Sequence, residues 1–334
     1  MPVRRMKLNF FHTCVLLLML SPLLQAQPKG YIISARNAEP VVTEALLRSH
    51  VEFLTDSLCT GRATGSTGSV WAQAGIARQF ASCGLLAPSG SYFQGFRTQN
   101  GTPAHNVIGI LPGTGDRYVV IAAHYDHIGT LRETLYPGAD SNASGVAALL
   151  TVARMFQYLK EMGKTYTHSV IFVALDGKEQ SLGGSHHLWN LIAGERIIDP
   201  VRGTPVLPGK IDRMVNIDQV GGTEAPLHKS RPDYLMMLSD AGTGRRDALL
   251  IANMSPEVNL DLAFDYYGSK DFTRVFYRTI SDQKPFLDHG IPSVMFTSGI
   301  TLRNNKVDDN VDSLDYAILR RRVLAIFYYL VRVL

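Results

Sequence analysis

The chain of 334 residues has only three cysteines, no Cys-x-x-Cys pair and 19% charged residues. A disulfide-stapled scaffold, a thiolate metal cluster and a disordered or collagen-like chain are thereby excluded. It also lacks an apolar run of the roughly 20 residues that a membrane span needs. The run Val15–Leu20 falls well short of that. GTGDR and GTGRR lack the Gly-Lys-Ser/Thr of a phosphate-binding loop, and no Gly-x-Gly-x-x-Gly opens a helix. The absence of a Gly-x-Ser-x-Gly elbow argues against a serine hydrolase. No internal repeat or low-complexity stretch occurs. Net charge is +4, and three of the cations, Arg4, Arg5 and Lys7, stand at the extreme N-terminus.

What is there begins with a leader. Arg4, Arg5 and Lys7, the apolar run, and the small residue of Leu24-Gln25-Ala26 read as a signal peptide over 1–26. Its removal leaves a charge of about +1, no basic surface for nucleic acid and no membrane anchor. The expected location is secreted or periplasmic. Cys14 leaves with the leader; Cys59 and Cys83 remain, and a disulfide or two unpaired buried thiols are equally open.

Residues 27–334 are expected to form one α/β domain, a central, mostly parallel mixed sheet flanked by helices. Strand-length apolar runs cover 106–111, 118–123, 169–175, 214–217, 234–238 and 293–296. VVIAA and VIFVAL read as strands buried on both faces. Helical spacing covers 43–57, 70–83, 145–158, 185–192 and 314–333. Within the last stretch, Arg320-Arg321-Arg322 is expected on a solvated face. Ala325, Ile326, Tyr328 and Tyr329 are expected in the core, although exposed they would favour a complex-forming subunit. Polar groups follow three strands: His124 and Asp126, then Asp176 to Glu179, then Asp218. Strand carboxyl ends are where open α/β sheets bind ligands.

HVEFLTDSLCTGRATGSTGS, HNVIGILPGTG, VVIAAHYDHIG, YPGADSNASGVAALL, FVALDGKEQSLGGS, VNIDQVGG and FLDHGIPSVMF, in that order, resemble metallopeptidase family 28, the two-zinc aminopeptidases. The resemblance implies two zinc ions sharing a carboxylate bridge, with a glutamate as general base. His124 matches the first histidine ligand, Asp126 the group orienting it, Glu179 a carboxylate ligand and Asp218 the aspartate ligand. Ser141 stands at the bridging position, Lys178 at the base position and Asn305 at the last histidine position. Asp140 precedes the bridge and is expected to point elsewhere, and Gln283 ends an SDQ where the family often has Ser-Asp-His.

With the bridge, base and one ligand replaced, catalytic zinc lacks the three protein ligands it normally takes. The expectation is an impaired or non-catalytic zinc-aminopeptidase-like protein holding no zinc or one, with a peptide or protein ligand in the old substrate crevice. Lys178 either neutralises an acidic cluster of Glu179, Asp218 and Asp140 or points to solvent. The alternative is an active metallo-aminopeptidase with a rearranged or mononuclear site, recruiting Asp140 or His187; His289 is a poor substitute. Glutaminyl cyclase activity fits less well, because it needs all three of the replaced groups.

Overall fold

The computed structural model describes residues 33–223, 231–239, 255–266 and 268–334, with positions 249, 251 and 253. The expected leader lies outside them. Two helices come first, α1 (Glu44–Thr55) and α2 (Thr67–Ser82). Thr43 Oγ1 caps α1 by accepting the Leu46 N–H at 3.1 Å, and Ser66 Oγ caps α2 from Ser69 at the same distance. These caps satisfy amide groups that no helical carbonyl can reach. Leu47, Val51 and Leu54 then fall on one buried stripe of α1.

Strands β1 (Phe93–Arg97), β2 (Pro103–Leu111) and β3 (Tyr118–His124) follow, with a small hairpin of β4 (Gly129–Leu131) and β5 (Thr134–Tyr136). Next come α3 (Gly145–Glu161), β6 (Ser169–Leu175), α4 (Gly183–Ala193), β7 (Ile211–Ile217), β8 (Tyr234–Ser239) and β9 (Asp261–Ala263). The chain ends with α5 (Lys270–Thr279), α6 (Lys284–Asp288), β10 (Ser293–Thr297) and α7 (Tyr316–Val333).

Eight strands form one mixed sheet in the order β1-β2-β6-β3-β7-β10-β8-β9. β6, β3, β7 and β10 run parallel at its centre, while β1, β2 and β8 pair antiparallel. The double burial follows from the two-residue period of a strand. Val119, Ile121 and Ala123 face a core shared with α1, α2, α3 and α7. Tyr118, Val120 and Ala122 face the opposite core, with Leu188 and Ile192 of α4. Each fully buried valine or isoleucine contributes roughly 1.5–3 kcal/mol. The β6-β3-β7 alignment sets Leu175 beside His124 and Ala122 beside Asn216. Residues just past all three strands therefore meet at one edge.

One expectation needs correction. Arg322 is fully buried, not solvated, and donates to the carbonyls of Tyr234 (2.8 Å), Val220 (2.9 Å) and Gly222 (2.7 Å). Arg320 and Arg321 stay partly exposed, with 26% and 23% of their side chains accessible. Helical geometry separates neighbours by about 100°, so three consecutive arginines cannot share one face. Ala325, Ile326, Tyr328 and Tyr329 are core residues, so α7 presents no apolar patch there. Cys59 and Cys83 are buried and unbonded. No helix among the described residues is long and apolar enough to cross a membrane.

Candidate functional site

Two hubs outside the expected ligand set fix the loops around the sheet edge. Arg62, in the Gly-rich turn before α2, is fully buried and donates to the carbonyls of Leu54, Tyr125, Pro137 and Gly138. Asp309 accepts the main-chain N–H groups of Asp140 at 2.7 Å and Ser141 at 3.1 Å. Asn142 then ties the same loop to the end of β7, donating to Ile217 O at 2.9 Å and accepting from Gln219 N at 2.9 Å. The Ser141–Asn142 peptide is cis.

Lys178 reaches into the centre of the edge. Its Nζ donates to Asp218 Oδ2 at 2.6 Å and lies 3.1 Å from His124 Nε2. His124 Nε2 also stands 3.3 Å from Asp218 Oδ1, so it can donate to Asp218 or accept from Lys178, one at a time. His124 and Asp218 are buried, and 17% of the Lys178 side chain is accessible. The ammonium thus fills the space between the residues at two expected ligand positions.

The electrostatics agree with that placement. Burial alone would raise the Asp218 pKa, yet Lys178 and His124 together hold it well below the usual carboxylate range. Burial would likewise lower the Lys178 pKa, but Asp218 and then Asp282 outweigh it and keep the ammonium charged. For His124, burial and Lys178 push the pKa down while Asp218 and Asp126 pull it up to about 9.

The other expected residues sit as follows. Asp126 accepts the Glu179 N–H through Oδ2 at 3.1 Å, while His124 Nδ1 contacts the Asp126 main-chain oxygen at 3.1 Å. Ser141, Lys178, Glu179, Asp218 and Asn305 line one cleft of about 140 Å³, with Gln219 and Asn304 beside them and Phe276, Ile280 and Ile300 as an apolar wall. Glu179 and Asn305 are exposed at its mouth. The expected three-carboxylate cluster does not form. Asp140 instead turns away, accepting from Gly221 N at 2.8 Å and Ser144 Oγ at 3.1 Å. His187 stacks on Phe96 with ring centres 4.8 Å apart, and His289 stacks on Trp189 at 4.3 Å. Gln283 is tied to Asn216 at 2.9 Å and to the Tyr277 carbonyl at 2.5 Å.

Asp282 was not anticipated. It is fully buried, and neither carboxylate oxygen has a hydrogen-bond partner among the described residues. Burial raises its pKa to about 6, against the attraction of His124 and Lys178. Its signal in the sequence is the middle residue of SDQ, beside the altered Gln283.

The donor set does not fit a zinc ion. Asp218 already binds an ammonium, Ser141 offers a hydroxyl where a bridge is needed, and Asn305 offers an amide. Among the described residues, no group of three or more His, Cys, Asp or Glu side chains is arranged to hold a metal. A divalent cation beside a buried ammonium would also meet like charge at short range.

The model of Peptidase family M28 matches residues 106–330. A probable zinc metalloprotease of Pyrenophora tritici-repentis is 26% identical over 221 residues, covering 57% of this chain and 47% of that protein. The BOS complex subunit NCLN of Gallus gallus is 32% identical over 162 residues, covering 47% of this chain and 27% of that protein. The chain therefore matches about half or less of the length of these two relatives. Among solved structures, the LapA aminopeptidase of Legionella pneumophila has the same fold, with a TM-score of 0.69 at 15% identity, covering 92% of this chain and 78% of that one. With its match spanning the strand-end motifs and the mixed sheet that carries them, the chain belongs to peptidase family M28.

Proposed function

We propose that this chain is a secreted or periplasmic zinc-aminopeptidase-like protein that has lost the two-zinc hydrolysis, and that its cleft binds a peptide or protein without cutting it. The observation that carries this reading is the Lys178 ammonium, 2.6 Å from Asp218 and 3.1 Å from His124 Nε2. An internal cation there does the charge balancing that a metal would otherwise do. A protonated amine cannot take a proton from water, so no general base stands at that position. The Ser141 hydroxyl cannot draw two cations together as a carboxylate does.

Recruitment of Asp140 or His187 as replacement ligands has little support. Asp140 Oδ1 is already committed to Gly221 and Ser144, and His187 stacks on Phe96 outside the cleft lining. The Gallus gallus relative is named as a subunit of a complex, which suits a binding role. The Pyrenophora relative is named as a probable zinc metalloprotease, so relatives of this chain carry names of either kind.

The test is elemental mass spectrometry of the purified chain after excess zinc and desalting. The expected result is near-zero retained zinc. The triple variant Ser141→Asp, Lys178→Glu, Asn305→His should retain about two zinc ions per chain and gain hydrolysis of aminoacyl substrates. Retention of about two zinc ions by the unsubstituted chain, or cleavage as fast as by the triple variant, would overturn the proposal.

A further inference from the structure

A second groove lies between α1, α3 and the end of α2. Its volume is about 620 Å³, a size suited to a small organic ligand, and it shares no lining residue with the cleft. Pro40, Val41, Leu46 and the Tyr158 ring give it an apolar side, and Arg154 and Gln157 give it a polar one. Arg154 and Gln157 stand three residues apart on α3, so their side chains are neighbours on one face of the helix.

Both polar residues have unused capacity. Arg154 is exposed, and among the described residues its guanidinium makes no hydrogen bond or ion pair. The groups beside it bring it no anion. Burial, helped by Arg154 itself, lowers the His50 pKa to about 4, and burial pushes the Cys83 thiol up, so both are neutral at neutral pH. Gln157 Nε2 donates to Glu161 Oε1 at 3.2 Å, while Gln157 Oε1 is buried with no hydrogen-bond partner among the described residues. The amide cannot be turned over, because two oxygens would then face each other. Gly84 gives it room: a Cβ there would stand 3.0 Å from Gln157 Nε2. An unpaired buried acceptor costs about 1–3 kcal/mol. The groove therefore sets an acceptor without a donor beside a cation without an anion.

We infer that this groove captures the carboxylate and the adjoining amide N–H of an acylated amino acid with an apolar side chain. The carboxylate pairs with Arg154, the N–H donates to Gln157 Oε1, and the side chain packs on Val41 and Leu46. In such a ligand the two polar groups flank a single carbon, which suits a cation and an acceptor on adjacent turns of one helix. A bare carboxylate would satisfy Arg154 and leave Gln157 Oε1 unpaired, and an amine would meet Arg154 as like charge. Glu161 lies seven residues beyond Arg154, about 10 Å along the helix axis, a distance over which salt screens most of its repulsion. Its charge disfavours a dicarboxylate rather than a monocarboxylate at Arg154. The same chemistry occurs in a free N-acyl amino acid and at the C-terminus of a polypeptide.

The experiment is isothermal titration calorimetry on the full chain with N-acetyl-leucine, N-acetyl-leucinamide and the ester analogue in which oxygen replaces the N–H. The acid should bind about tenfold tighter than the amide and about threefold tighter than the ester analogue. Arg154→Gln should weaken the acid about tenfold, with the melting temperature unchanged because the position is exposed. Gln157→Met should bring the acid and the ester analogue to equal affinity. An acetylated tripeptide ending in leucine separates the two sources: tighter binding than N-acetyl-leucine assigns the groove to polypeptide C-termini, and equal binding assigns it to free acylated amino acids. Equal affinity for acid and amide, indifference to Arg154→Gln, or no binding of any of these ligands would overturn the inference. None of these outcomes depends on zinc or on the cleft.

Discussion

Arg62 and Arg322, both fully buried, and Lys178, partly buried, are cations held in opposite ways. Each arginine spends its guanidinium on main-chain carbonyls: Arg62 on those of Leu54, Tyr125, Pro137 and Gly138, Arg322 on those of Tyr234, Val220, Gly222 and Pro232. Lys178 is held by side chains, the carboxylate of Asp218 and the imidazole of His124. A guanidinium presents five donors in a fixed fork and can satisfy several carbonyls at once, whereas an ammonium is a compact point charge. The arginines therefore belong to the scaffold and would serve it whatever chemistry the cleft performs. Lys178 belongs to the site, where its charge does work that the scaffold does not require.

The largest expected effect breaks the scaffold. Arg322→Met removes the donors from three buried carbonyls, those of Tyr234, Val220 and Gly222, and each unsatisfied group costs about 1–3 kcal/mol. A loss of roughly 4–6 kcal/mol is expected, read as the urea midpoint or as failure to accumulate folded protein. A loss below about 1 kcal/mol would mean that Arg322 is no hub.

Lys178→Met should come next. It leaves the buried Asp218 carboxylate with His124 as its remaining partner, and breaking a buried pair from one side costs up to roughly 3–5 kcal/mol. Adding Asp218→Asn should recover most of that loss, because a neutral amide needs no counter-ion. The same rescue has no counterpart at Arg322, whose partners are main-chain atoms. If the double variant is as unstable as Lys178→Met alone, Lys178 acts through packing and the contrast with the arginines falls.

Much of this architecture was legible in the chain. The run 169–175 is a strand over the same residues, and 118–123 extends by only one, because doubly buried strands leave an uninterrupted apolar signature. β1 was missed for the converse reason: Phe93–Arg97 is an edge strand with no fully buried residue, and FQGFR carries no clear alternation. α5 was missed although Phe272, Val275, Phe276 and Ile280 keep helical spacing, because charged residues at 270, 271, 274 and 278 break the apolar run and only Phe276 and Tyr277 are buried. At the site, motif order located His124, Lys178, Glu179 and Asp218 on one edge. Motif order turns Asp140 away from the bridge, as its bonds to Gly221 and Ser144 show, whereas grouping it with Asp218 by charge alone fails because charge carries no direction. Arg62 stands inside a quoted motif and Asp309 outside all of them, and the partners of both are main-chain atoms far along the chain, which no local pattern encodes.

The smallest expected effect sharpens the contrast within a single run of three identical residues. Arg320 donates to Val42 O at 3.0 Å and pairs with Glu257 at 2.9 Å, and Arg321 donates to Val258 O at 3.1 Å and pairs with Asp233 at 3.2 Å. Both pairs are open to water, which can replace a lost donor, and partly exposed ion pairs contribute little. Arg320→Ala and Arg321→Ala should each cost about 1 kcal/mol or less, read from the same urea titration as Arg322→Met. Since the three residues share a helix and a side-chain type, their difference can come only from what each guanidinium faces. A cost at Arg320 equal to that at Arg322 would assign the effect to charge on α7 as a whole. A small cost there beside a large one at Arg322 assigns it to the carbonyls that only Arg322 can reach.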